Sequence, residues 1–67
     1  MNIWDYQYKL KKTIKITDKD GDVFVGKLIE IMDVDEMDTE EPRVVIKTED
    51  GFIGFWESEI VSMAVIE

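Results

Sequence analysis

The sequence predicts an all-β domain, a small antiparallel barrel or sandwich of five short strands. Three observations carry that prediction. Apolar residues recur at every second position from Thr13 onward. Turn clusters ending in Gly21 and Gly51 interrupt the alternation where hairpins would close. The chain has 67 residues, room for a single domain over 1–67 and no more.

Along the chain, Ile14 and Ile16 alternate with Lys15 and Thr17, the pattern of a half-buried strand. Asp18-Lys19-Asp20-Gly21 then supplies the chemistry of a tight turn ending in a positive φ. A longer strand, Asp22 to Met32, is rich in β-branched and aromatic residues. Its alternation puts Val23, Val25, Ile29 and Ile31 on one face and Phe24, Leu28 and Met32 on the other. Gly26 interrupts it, and a strand-interior glycine marks a bend or a close approach of another segment. In a closed sheet such a bend lets one long strand serve two sides.

Asp33 to Glu41 holds six carboxylates, is closed by Pro42, and reads as a loop. Arg43 to Thr48 resumes as a strand through Val44, Val45 and Ile46. Glu49-Asp50-Gly51 is a hairpin turn, and Phe52 to Trp56 a short aromatic strand with Gly54 at its centre. Glu57-Ser58-Glu59 is long enough only for a tight or 3₁₀ turn before a last strand, Ile60 to Ile66. The first twelve residues fit two readings. Trp4, Tyr6, Tyr8 and Leu10 alternate as in a strand, yet Ile3, Tyr6 and Leu10 also fit helical spacing, with Asn2 as a cap.

Asp20-Gly21-Asp22-Val23-Phe24-Val25-Gly26-Lys27-Leu28 is similar to the first motif of the Sm/LSm family: a turn glycine, an aromatic, a bend glycine and an aliphatic residue. Trp56 to Val65 resembles the second, and the Glu57-Ser58-Glu59-Ile60 turn is most similar to small Sm-like proteins of bacteria and their phages. The resemblance implies a five-stranded antiparallel Sm-like (SH3-like) barrel behind a short N-terminal helix. It also implies rings or dimers joined through the fourth and fifth strands. RNA-binding members hold a base and phosphate with an Asn in one loop and a basic residue followed by Gly in another. Here those loops read Met37-Asp38 and Glu57-Ser58-Glu59, acceptors and negative charge where donors and positive charge are needed.

Composition narrows the function further. Without Cys or His the chain has no disulfide, no thiolate zinc site and no imidazole base. Ser58 and Ser62 lack a partnering His or Lys at suggestive spacing, so an enzyme is not expected. Neither Asp18-Asp20-Asp22 nor the loop after Asp33 matches the calcium-loop count, and no metal or cofactor is expected. Residues 1–29 hold six lysines against four aspartates, a net of +2; residues 30–67 hold two cations against twelve carboxylates, a net of −10. The total of −8 repels phosphate backbones and anionic lipid, so neither nucleic acid nor a membrane is an expected partner. No apolar run approaches a membrane span, and the cytoplasm is the expected location.

A domain this small without disulfide or metal gains from a partner chain. The last strand carries no charge on either face, although a terminal strand in a lone domain is ordinarily blunted by Lys or Glu. Phe52, Trp56, Ile60, Val61, Met63 and Val65 are therefore the candidate subunit interface, and Gly26 the structural bend. The expected function is a non-catalytic module that forms a homo-oligomer and binds a protein partner. Two alternatives stay open: nucleic-acid binding through an unusual surface such as the Lys9–Lys15 edge, and an acidic decoy of nucleic acid.

Overall fold

Five antiparallel strands lie in one sheet in the order β4-β3-β2-β1-β5. They are β1 (Thr13–Asp18), β2 (Val23–Met32), β3 (Arg43–Thr48), β4 (Gly51–Trp56) and β5 (Ile60–Val65). The structure is a computed structural model that describes residues 2–37 and 39–67, without the side chains of Glu36 and Met37. Each strand sends at least one side chain into a single buried cluster: Ile14 and Ile16, Leu28, Val44 and Ile46, Phe55, Ile60 and Met63. A sheet in which every strand faces the same core must curve around it, giving a small barrel-like fold.

The N-terminus resolves in favour of a helix. Ile3–Lys9 is a 3₁₀ helix whose Asn2 side chain accepts the Trp4 N–H, and Lys9 lies in its last turn. Ile3 is fully buried, and Trp4 and Tyr6 pack against the core. The aromatic period of two seen in the sequence is overridden because this segment seals the core through Ile3 rather than joining the sheet.

Gly26 lies opposite Ile14, at a place where β3 comes very close. A Cβ there would stand 2.6 Å from the Lys47 carbonyl oxygen and 3.3 Å from Ile46 Cδ1. The glycine is thus required by the approach of a neighbouring backbone. At the β1–β2 turn, Gly21 adopts φ 83°, and the Asp18 carboxylate accepts both the Asp20 and Asp22 N–H at 3.0 Å.

Two irregularities overturn the face assignments made from alternation. Between Leu28 and Glu30 the β2–β3 register shifts, after which Ile31 opposes Val44 and Met32 opposes Arg43. Ile31 therefore packs on the core, and Met32 lies on the opposite face. Between Thr17 and Asp18 the β1–β5 register shifts as well, so Ile60 and Met63 both turn inward although their parity differs. An extra residue on one strand reverses the side of everything beyond it. The segment after β2 is also not wholly loop, since Val34–Met37 forms one α-helical turn, α1. Among the described residues no helix is long and apolar enough to cross a membrane.

Candidate functional surface

The sheet ends in two edges, β4 and β5, joined by the 3₁₀ turn Glu57–Glu59. Phe52 is 67% exposed on β4, and Val61 and Val65 are 60% and 40% exposed on β5. Trp56 is half-buried, with the Arg43 guanidinium 5.4 Å from its ring centroid. Ile60 and Met63, by contrast, leave the candidate interface: the bulge turns both into the core, at 6% and 7% exposure. The side chains the edges offer to another chain are thus Phe52, Trp56, Val61 and Val65, with Ile66 half exposed beyond.

Backbone groups on these edges follow from the register. Ile66 N–H donates to the Thr13 carbonyl and Thr13 N–H to that of Glu67, which makes odd-numbered residues of β1 the bonded ones. Met63, opposite Ile16, then turns its carbonyl to the free side of β5. There the Tyr6 hydroxyl donates to it at 2.7 Å, so the N-terminal helix covers part of this edge. The remaining groups of the edge have no strand beside them.

The carboxylates around the β4–β5 turn are engaged in holding it. Glu57 accepts the Ile3 N–H at 3.1 Å, tying the turn to the N-terminal helix. Glu59 accepts the Trp56 N–H at 2.8 Å, bonding the first backbone donor of the turn. Glu41 accepts the Ser58 N–H at 2.7 Å and its hydroxyl at 3.1 Å. The backbone bond from Ser58, then its hydroxyl, hold the Glu41 carboxyl below the ordinary glutamate range. Beside this network Thr39, Glu40, Glu41 and Trp56 line a cleft of about 290 Å³. Of the two sequence positions compared with the RNA pocket, the Glu57–Glu59 turn stands here, and Asp38 lies outside the described residues. The turn offers a ligand negative charge and acceptors, one oxygen of Glu57 and of Glu59 being already bonded to the fold.

Arg43 was not legible as a site residue. Its guanidinium covers Gly54, where a Cβ would run into it, and its Nε has no hydrogen-bond partner among the described residues. The pairing of Arg43 with Trp56 and of Val45 with Gly54 explains the placement: the glycine opens a slot between two aromatic positions. At the opposite end, the carboxylate oxygens of Asp18, Asp20 and Asp22 lie within 4.8 Å of one another. Asp18 is already committed to two turn amides.

A second cleft, of about 420 Å³, opens between the start of β2 and the β3–β4 turn, lined by Val23, Phe24, Val25 and Ile53 with Thr48, Glu49 and Asp50. Comparison with family models, with curated proteins and with solved structures finds no match to this chain. Geometry and charge therefore carry the functional argument.

Proposed function

We propose that the chain is a non-catalytic interaction module of Sm-like architecture that self-associates through the β4 and β5 edges and binds a protein partner. The observation that carries this reading is the pair of strand edges without neighbours, bearing exposed Phe52, Val61 and Val65 and, on β5, no charged side chain. Pairing β4 of one copy with β5 of the next satisfies edge backbone groups and covers this apolar surface together. The Tyr6 hydroxyl on the Met63 carbonyl is compatible with it, because a carbonyl has two acceptor sites. Light scattering tests it: a mass above that of one chain is expected at tens of micromolar protein, and a monomer at every salt concentration would refute it.

The reading excludes use of the family's RNA pocket. Glu57 and Glu59 supply negative charge and acceptors there, where a base and phosphate need donors and positive charge. Filter binding of oligo-U at low salt, where phosphate contacts are strongest, is expected to show no affinity in the micromolar range. Retention at that level would restore the pocket.

A further inference from the structure

The outer face of the sheet holds lysines that edge-to-edge assembly does not use. The cross-strand register places Thr13, Lys27, Lys47 and Phe52 in one line over β1, β2, β3 and β4. Lys15, opposite Val25, is the diagonal neighbour of Lys27. All three lysines are exposed, and the Lys47 ammonium stands 5.9 Å from the Phe52 ring centroid. No lysine side chain takes part in the side-chain hydrogen bonds of the described residues.

Like charges directly opposite on paired strands destabilise a sheet, and Lys27 directly opposes Lys47. Lysine commonly blunts edges, but β2 and β3 are interior strands with a neighbour on each side. The chain has 16 carboxylates for 8 cations, yet places none opposite either lysine in this line. An anion lying between the two lysines removes the repulsion, and the exposed Phe52 ring offers an apolar contact at the end of the line.

The anion has to be short. Asp18, Asp20 and Asp22 stand at the β1–β2 turn, Glu49 and Asp50 at the β3–β4 turn, and Glu30 opposite Val45 along the strands. With strands about 4.8 Å apart, the line from Lys27 to Phe52 spans only about 10 Å. A nucleic acid, charged at every phosphate, would run off this patch onto carboxylates. A polypeptide can place carboxylates where the lysines are and neutral residues elsewhere. We propose that the Lys15–Lys27–Lys47–Phe52 face binds an extended acidic segment of a partner protein, with an apolar side chain of that segment against Phe52. The inference deepens the protein-partner reading above; its lysines lie on interior strands clear of the β4 and β5 backbone edges, and it shares only Phe52 with the assembly surface.

Fluorescence anisotropy with a labelled peptide, Asp-Glu-Phe-Glu-Asp, is the test. Saturable binding that weakens as salt rises is expected. The double variant Lys27→Glu/Lys47→Glu should weaken it roughly tenfold or more. Lys9→Glu/Lys19→Glu, the same change in net charge away from the line, should stay within about twofold. Phe52→Ala should also weaken it, and carries the test if the double reversal does not fold. Absence of saturable binding at low salt, equal losses in the two double variants, or tighter binding of a deoxythymidine oligonucleotide of matched charge would each overturn the proposal. Light scattering on the same samples reads assembly separately: a monomer that captures the peptide defeats only the assembly reading, and an oligomer that fails to bind it, and still fails once Val61→Lys has made it monomeric, defeats only this one.

Discussion

Protonating Glu41 would weaken the tie between the segment after β2 and the turn after β4, because its two carboxylate oxygens take the N–H and the hydroxyl of Ser58 and protonation removes their charge and occupies one of them. Its pKa is lowered in the fold, first by the Ser58 backbone bond and then by the hydroxyl. A group whose folded pKa is depressed contributes stability above its unfolded pKa and loses it as pH falls through the folded value. Urea melts between roughly pH 6 and pH 3 should therefore show Glu41→Gln losing less stability on acidification than the parent chain. Identical acid limbs would mean that the Ser58 contacts are not maintained in solution. At Gly26 the constraint is steric. A Cβ 2.6 Å from the Lys47 carbonyl cannot be relieved by a side-chain rotation, since the obstacle is backbone. Gly26→Val should cost about 1–3 kcal/mol in a urea melt through overpacking and displaced β3. Parental stability would show that β2 and β3 do not approach there.

Strand existence and most boundaries were legible because alternation and turn chemistry are local signals. Arg43–Thr48 and the 3₁₀ turn at Glu57–Glu59 stand where the residues placed them. What alternation could not give was side, once a bulge intervened. Ile60 and Met63 have opposite parity and share the core, while Ile31 turns inward only because the register slips after Leu28. Bulges are settled by which long-range pairing buries most, and no spacing within one strand records that. The candidate interface had the same weakness: Val61 and Val65 are exposed, whereas Ile60 and Met63 are buried. Likewise Glu41 was one carboxylate among six, since its partner Ser58 is seventeen residues away. The bulge has a direct consequence for mutation. Met63→Ala should cost about 2–5 kcal/mol by opening a core cavity. Val61→Lys, at a position 60% exposed, should stay within about 0.5 kcal/mol for the monomer while abolishing assembly. A larger loss at Val61 than at Met63 would place the bulge elsewhere.

For the whole molecule, two tendencies oppose each other at any self-contact. Covering Phe52, Val61 and Val65 and pairing the free edges favours association, and a domain this small has no disulfide to supplement its core. Each added copy also brings a net charge of −8, the −10 of residues 30–67, which include β4 and β5, being offset only by the +2 of residues 1–29. Repulsion between those charges is longest in range at low salt, about 10 Å at 0.1 M and about 3 Å at 1 M, whereas apolar burial is not screened. Assembly should accordingly strengthen as salt rises. Contacts between the lysine line and an acidic peptide are attractive charge pairs and should weaken over the same range, so the two responses have opposite signs in one protein. A single salt series, with scattering mass and peptide anisotropy read on each sample, separates them. Assembly that dissolved on adding salt would mean that copies meet through opposite charges, for example the lysine face of one against carboxylates of the next. The edge-to-edge arrangement would then have to be abandoned.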